Sequence, residues 1–265
     1  MQSEQRPHYR RPPVQEVVCG VQFSGAEGWG TPHVGRFWQE VETEYPRFED
    51  QLPLAPMRLD TAPSPEPQFV AMPPLRRVFY IQPTGSFLIQ LQENRLLHNW
   101  RKMGEEDEYP RYEKAYERFV SAWRRFETFL QKVSLPPAHA EIFELAYVNH
   151  ITRDGAKFPR DVWDFLAIYE STPKATTAKE SSTIAMHFAW PLPDDKGTLA
   201  LDLKHGVRAA DEREVLVIEL NARGKAKELT GYMKEWFDVA HSAIVNTFDS
   251  FTTEQAHTLW GKYEV

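Results

Sequence analysis

Two groups of polar side chains at the ends of predicted strands have the residue types best suited to chemistry. Asn99 and Arg101 close one predicted strand, and Tyr147, Asn149 and His150 close another. A planar guanidinium, two carboxamides and an imidazole can orient an anion or a carbonyl group. If both strands end at one rim of a shared sheet, these groups converge on a binding site. In the alternative, the amides satisfy backbone groups and the arginine pairs with an acidic neighbour.

No catalytic motif accompanies these residues. Cys19 lies mid-strand among apolar residues, which is typical of a small core residue, and neither a Gly-x-Ser-x-Gly elbow nor a papain-type cysteine occurs. The nine histidines contain no i, i+4 pair and no His-Glu-x-x-His element. Gly25, Gly28 and Gly30 have the wrong spacing for a phosphate cradle and lack its lysine. We therefore predict no catalytic residue, no metal and no cofactor, and we favour a protein that is not an enzyme.

The composition indicates a folded chain and excludes several classes of partner. Its 265 residues, 42% of them hydrophobic and 13% aromatic, can bury a sizeable core. A net charge of −7 repels phosphate backbones, which makes nucleic acid a poor partner. One cysteine forms no internal disulfide, and the sequence contains neither a leader-like segment nor an apolar run of about eighteen residues. We expect a soluble, cytoplasmic protein that does not engage a membrane.

Apolar periodicity predicts the same order of elements twice. The first half has a strand over 14–23, a short helix over 34–45, a hairpin over 78–92, a strand over 96–101 and a long helix over 109–133. The second half has a strand over 141–151, a short helix over 159–168, strands over 183–190, 198–204 and 214–222, and a long helix over 233–251. Thr252 and Gln255 then fit a capping box for a short terminal helix. Prolines crowd residues 52–74, which predicts an exposed loop there.

This order predicts an α+β protein. We expect a mostly antiparallel sheet with two long helices packed on one face, because a sheet face must be buried against another layer. The unit of strand, helix, three strands and helix is duplicated, with 1–136 as the first half and 137–265 as the second, in one compact unit. The architecture resembles helix-grip or TATA-binding-protein-like duplications, a likeness that implies no function.

Several motifs follow one another along the chain. They are Pro12-Pro13-Val14-Gln15-Glu16-Val17, Gln90-Leu91-Gln92-Glu93-Asn94-Arg95, Asn99-Trp100-Arg101-Lys102, Tyr109-Pro110-Arg111-Tyr112 and Tyr147-Val148-Asn149-His150, followed by His241, Phe248 and Leu259-Trp260-Gly261. Together they resemble a sporadically distributed, uncharacterised bacterial protein family that opens with a Pro-Pro-x-x-Glu-Val strand. The resemblance brings no catalytic residues, and the family's patchy distribution implies genes of mobile or defence-related loci.

Two functions follow from these patterns. We favour a non-enzymatic protein-binding or adaptor protein, because aromatic residues anchor protein interfaces and the chain holds eight Trp, ten Tyr and sixteen Phe. Its partner would be encoded nearby, and the resemblance alone implies an accessory or regulatory role in an antiviral defence locus. The alternative is a small-ligand-binding or hydrolytic protein that uses a groove lined by Asn99, Arg101, Asn149 and His150. The oligomeric state and the role of residues 52–74 stay open at this stage.

Overall fold

The computed structural model describes residues 7–59, 76–152, 158, 160–167, 183–208, 212–227 and 229–263. Its strands are β1 (His8–Tyr9), β2 (Val14–Gly25), β3 (Arg47–Gln51), β4 (Arg77–Ile81), β5 (Phe87–Gln92), β6 (Arg95–Arg101), β7 (Ala138–Ile151), β8 (Ala185–Pro191), β9 (Thr198–Val207), β10 (Glu214–Lys225) and β11 (Lys262–Tyr263). The α-helices are α1 (Thr31–Val41), α2 (Arg111–Lys132), α3 (Tyr232–Phe251) and α4 (Glu254–Trp260), and short 3₁₀ helices cover Arg160–Asp164 and Pro193–Asp195.

Nine strands form one antiparallel sheet in the order β3-β4-β5-β6-β2-β7-β10-β9-β8. At its centre β2 pairs with β7, and Val17 lies opposite Tyr147. On the β2 side the neighbours are β6, β5 and β4, and on the β7 side they are β10, β9 and β8. Each half of the chain therefore contributes one side of the sheet. The predicted α+β class with a duplicated unit is confirmed.

Both long helices cover the same face of the sheet, which we call the helix face. Helix α2 contacts β2 and β6, and α3 contacts β7, β9 and β10. Apolar residues recur every three or four positions in each helix, so that each buries one stripe. Phe237 of α3 is fully buried and lies 5.2 Å from the ring of Phe119 on α2 and 5.6 Å from that of Phe143 on β7. Aromatic packing thus joins the two halves.

The halves differ where their first helices lie. The first half has the α-helix α1 and an additional edge strand, β3, which the sequence did not predict. In the second half the predicted helix over 159–168 is the 3₁₀ helix Arg160–Asp164, and residues 159 and 168 lie outside the described ranges. The next residues pair with the end of α3: Leu166 forms a β-bridge with Thr252, and the Thr253 hydroxyl donates to the Asp164 carbonyl at 2.6 Å. These contacts follow directly on the 3₁₀ helix and attach it to the end of α3.

Two features of the chain ends were not predicted correctly. Thr253, not Thr252, caps α4, since its hydroxyl oxygen accepts from the Ala256 N–H at 3.2 Å while the Thr252 hydroxyl donates to a carbonyl of α3. In addition, β1 pairs with β11, with His8 opposite Tyr263. We call this pair the terminal clasp. No helix in the described ranges is long and apolar enough to cross a membrane.

Candidate functional site

The predicted site residues lie at one rim of the sheet but on two faces. Strands β6 and β7 both end beside the start of β2, as the predicted convergence required. Successive side chains of a strand point to opposite faces. Tyr147 and Asn149 therefore lie on the helix face, whereas Asn99, Arg101 and His150 lie on the opposite one, which we call the polar face. The sheet separates the two groups, so a single groove lined by both does not form.

On the polar face, Asn99 and Arg101 have protein partners. The Asn99 amide donates to Glu16 Oε1 at 2.5 Å, and its oxygen accepts from the Gln90 amide at 2.9 Å. Burial raises the pKa of Glu16, and the Asn99 hydrogen bond opposes that shift. Arg101 Nε donates to the Gly85 carbonyl at 2.9 Å. The alternative interpretation differs from these bonds, because Asn99 bonds two side chains and not backbone groups, and Arg101 Nε bonds a carbonyl and not a carboxylate.

A cavity of about 350 Å³ lies on the helix face, between α2, α3, β7 and the N-terminal segment. We call it the aromatic cavity, because ring side chains make up much of its lining: Tyr9, Tyr109, Tyr112, Tyr147, His241, Phe248 and Tyr263. Two motifs of the sequence meet here. One supplies Tyr109 and Tyr112 around the start of α2, and the other supplies Tyr147 and Asn149 on β7.

The tyrosine hydroxyls and the asparagine amide of the aromatic cavity are uncharged and hydrogen-bonded. The hydroxyls of Tyr109 and Tyr147 are 2.8 Å apart, and the Asn149 amide donates to the Ile218 carbonyl at 3.2 Å. Burial raises the pKa of both tyrosines, so they stay protonated at neutral pH. The His241 ring stacks on Tyr112 with centroids 4.1 Å apart and planes 11° apart. This arrangement can hydrogen-bond a ligand and hold a flat apolar body, but it supplies no strong base.

The mouth of the aromatic cavity combines charge with backbone strain. Arg111, the first residue of α2, has a φ of 72°, a left-handed conformation that costs an arginine about 1–3 kcal/mol. Its guanidinium donates to the Tyr9 carbonyl at 3.0 Å and so ties α2 to the terminal clasp. The Tyr9 hydroxyl donates to Asp249 at 2.5 Å. Strain at a cavity mouth motivates a functional hypothesis.

The terminal clasp supplies the lining that the sequence could not predict. Pro7, His8 and Tyr9 from one chain end and Tyr263 from the other lie at the cavity. Tyr9 also packs edge-on against Trp260, with ring centroids 6.0 Å apart. Strands of two residues have no readable period, so the clasp was missed. Tyr109 and Tyr112 belong to one of the sequence motifs, and that motif is the sequence signal for this site.

Residues 54–59 lie against the polar face near the rim opposite the predicted site. Side chains of the sheet form hydrogen bonds with the backbone of this segment. Gln92 accepts from the Leu54 N–H at 2.9 Å and donates to the Leu54 carbonyl at 3.2 Å. Arg95 donates to the Ala55 carbonyl at 2.6 Å, Gln22 accepts from the Met57 N–H at 2.7 Å, and Thr198 donates to the Leu59 carbonyl at 3.3 Å. Residues 52–59 have no regular structure, as predicted, but Met57 is buried. The prediction of an exposed loop is therefore wrong at Met57, and residues 60–74 lie outside the described ranges.

The fold and the aromatic cavity define the class of the molecule. It is an α+β protein in which two similar units share one antiparallel sheet and enclose a ring-lined cavity beneath their long helices. Comparisons with family models, curated proteins and solved structures find no match for the chain. A function must therefore be argued from the geometry of its own residues.

Proposed function

We propose that this protein binds a small, planar, mostly apolar ligand in the aromatic cavity and does not transform it. The observation that carries the proposal is a ring-lined cavity of about 350 Å³ with a few neutral hydrogen-bonding groups on its wall. Small-molecule sites have this character: they are concave, mostly apolar and about 300–1,000 Å³ in volume. The proposal keeps Tyr147 and Asn149 as binding residues and replaces the predicted groove with this cavity.

The hydroxyls of Tyr109 and Tyr147, which we call the hydroxyl pair, favour a ligand with one hydrogen-bond acceptor. Tyr109 and Tyr147 carry two hydroxyl protons, and the hydrogen bond between them uses one. The other proton is available to an acceptor on the ligand, such as a carbonyl oxygen. The surrounding rings favour an aromatic body, because ring pairs attract in offset and edge-on arrangements at centroid distances of about 4.5–7 Å. An aromatic carbonyl compound fits both requirements.

The residues of the cavity support binding over catalysis. Its described lining contains no serine, threonine or cysteine, and its buried phenols stay protonated. Cys19 is fully buried outside this lining, and burial raises the pKa of its thiol, which keeps it unreactive. Nucleophilic catalysis requires a nucleophile with an adjacent base. The described lining offers no serine, threonine or cysteine for such a pair.

A cavity-filling substitution tests this function. Val245 lines the aromatic cavity from α3, so Val245→Phe should fill part of it. Val207→Phe adds the same ring at an exposed site that lies outside the lining. Ligand-observed NMR with a fragment set of aromatic aldehydes and ketones should show binding to the wild type and to Val207→Phe, and none to Val245→Phe. Binding that persists in Val245→Phe, or a wild type that binds no fragment, would refute the proposal.

A protein-binding or adaptor function is the second candidate, and residues 54–59 favour it. Gln22, Gln92 and Arg95 bind the backbone of that segment through their side chains. Recognition of backbone groups suits any extended polypeptide, so a partner segment in the same form would compete for these side chains. The cytoplasmic location, the nearby-encoded partner and the role in a defence locus remain predictions that belong to this candidate.

Competition for the polar face tests this second function. Replacing residues 54–59 with glycine and serine removes the buried Met57 side chain and raises the entropic cost of ordering the segment, so it should detach the segment from Gln22 and Gln92. Affinity capture from the native host should then recover a stoichiometric partner more efficiently than with the unaltered chain. Adding Gln22→Leu and Gln92→Leu should abolish that gain. If the replaced chain recovers no more partner than the unaltered one, the polar face is not the binding surface.

A further inference from the structure

A second cavity, of about 660 Å³, lies at the rim where β2 begins, and cationic side chains line it. Arg11, Lys102, Arg208 and Arg213 contribute to the lining, and Glu105 is the one acidic residue among its described members. The whole chain carries a net charge of −7, so the charge of this lining is opposite in sign to the net charge of the chain. We call this cavity the basic cleft.

Backbone hydrogen bonds hold the segments of the basic cleft in place. The Lys102 N–H donates to the Gln15 carbonyl at 2.8 Å, and the His150 N–H donates to the Pro13 carbonyl at 2.9 Å. The turn after β9 is closed by a bond of 2.9 Å from the Arg208 N–H to the Arg213 carbonyl. Three separate parts of the chain therefore bring cations to one space: the segment before β2, the end of β6 and the residues between β9 and β10. This origin distinguishes the cleft from a run of charge along one helix.

His150 provides an independent observation that points to a ligand. Its side chain lines the basic cleft, and its Nδ1 atom is buried without a hydrogen-bond partner among the described residues. Burial lowers the pKa of His150, and the positive charges of Arg208 and Lys204 lower it further. A buried ring nitrogen without a partner is costly, and an anion beside it would both accept a hydrogen bond and favour protonation of the ring.

Part of the lining of the basic cleft is apolar. Pro12, Pro13, Leu259 and Trp260 form this part, and Trp260 is almost completely buried. An inorganic anion would leave this apolar part unused, whereas an anion attached to an organic group would cover it. Arginine guanidinium groups match the oxygens of phosphate in fork-like pairs, which favours a phosphate group as the anion.

We infer that the basic cleft binds a small phosphate monoester, with the phosphate against Lys102, Arg208, Arg213 and His150 and the organic group against Trp260. The site goes beyond the proposed function and does not depend on it. The basic cleft and the aromatic cavity share only Pro12 and Val14 among their described linings. The ligand of one need not be the ligand of the other.

Calorimetric titration with phenyl phosphate tests the inference. The test variant is Lys102→Gln/Arg213→Gln, and the control is Arg36→Gln/Arg124→Gln, which removes equal charge from exposed positions of α1 and α2. Wild type and control should bind phenyl phosphate equally, and the test variant should bind at least about tenfold more weakly, because charge-assisted bonds are lost. Arg11→Gln changes an exposed position and is the test variant if the double variant fails to fold; it should also weaken binding.

NMR titration of the histidine rings supplies a second measurement. Saturation with phenyl phosphate should raise the pKa of His150, because a dianion stabilises the protonated imidazole. The inference is overturned if wild type gives no binding heat, if test and control variants bind alike, or if the pKa of His150 does not rise. Equal affinity for inorganic phosphate and phenyl phosphate would overturn the role given to Trp260.

Discussion

On β7, one side of the strand presents Tyr147 and Asn149 to the aromatic cavity, while the other presents Glu144 and His150 to the polar face. The rings of the helix face contact one another at centroid distances such as the 5.0 Å between Trp236 and Phe237. Hydrogen bonds between charged and amide side chains stabilise the polar face. One strand therefore contributes to two layers with different physical requirements.

This difference changes what a void costs on each face. An apolar wall that borders a void loses only dispersion contacts, whereas a buried polar group without a partner also loses its hydrogen bonds. On the polar face, neighbouring side chains bind the buried Glu144 carboxylate: Arg223 donates to Oε1 at 2.6 and 2.7 Å, and Asn221 donates to it at 3.0 Å. A cavity with neutral polar groups on its wall is thus suited to the helix face, where a ligand can replace missing contacts.

Truncating the ring between the two long helices should have the largest effect. Phe237 is fully buried between Phe119 and Phe143, so Phe237→Ala should lower the free energy of unfolding by about 4 kcal/mol, through lost burial and the remaining void. Urea denaturation measures the loss. Leu229→Ala, at a side chain that is 65% exposed, should change stability by less than about 0.5 kcal/mol. Similar losses in both variants would mean that the helix face is not the main source of stability.

Removing the buried carboxylate of the polar face should have the next largest effect. Glu144→Ala leaves Arg223 and Asn221 without their shared acceptor, and breaking a buried pair costs about 3 kcal/mol. Solvent reaches part of Arg223, which reduces the expected loss to about 2–3 kcal/mol. The double variant Glu144→Leu/Arg223→Leu should recover part of this loss in the same denaturation experiment, because it leaves neither charge unpaired. A double variant less stable than Glu144→Ala would contradict this account.

The same comparison shows what could be predicted from the sequence. Period-two alternation located the central strands, and the three- and four-residue spacing of aromatic residues located α2 and α3. That alternation also implies that His150 points away from Tyr147 and Asn149, and the single-groove prediction neglected it. The pairing register decided which residues of β6 share a face with His150, and register depends on contacts between distant segments.

The remaining lining of the aromatic cavity could not be predicted, for a physical reason. Tyr9 and Tyr263 come from opposite ends of the described chain, and His241 comes from α3, so only the three-dimensional fold brings them to β7. Residues 54–59 were assigned to an exposed loop from their prolines. Their position instead depends on Gln22 and Gln92, whose amides bind backbone groups that local sequence patterns do not reveal.

The two faces should respond to pH in opposite directions. On the helix face, burial lowers the pKa of His98 from 6.5 to about 3, with a smaller contribution from Arg118. The unfolded chain takes up this proton below pH 6.5 and the folded chain does not, so stability falls as the pH drops from 6.5 toward 3. On the polar face, burial raises the pKa of Glu16 above 4.5, so its contribution is complete below pH 4.5 and is lost as the pH rises.

Denaturation across this pH range separates the two groups. His98→Leu should remove an acid slope of up to about 1.4 kcal/mol per pH unit, and Glu16→Gln should remove the smaller opposing slope. His98 also bonds the Tyr45 hydroxyl at 3.1 Å, so His98→Leu should lower stability at neutral pH as well. An unchanged acid slope in His98→Leu would show that other groups govern acid unfolding.

The smallest effect should follow loss of the hydroxyl pair in the aromatic cavity. Tyr147→Phe removes one hydrogen bond and keeps the ring, so it should lower the free energy of unfolding by about 1 kcal/mol. Tyr109→Phe breaks the same bond, and the double variant should lose less than the sum of the single losses. Tyr116→Phe, which changes a hydroxyl outside the cavity lining, is the control for ligand binding and should bind aromatic carbonyl fragments like wild type. If Tyr147→Phe cost as much stability as Glu144→Ala without weakening fragment binding, the hydroxyl pair would be structural in the manner of the polar face, and the cavity would lose its polar recognition group.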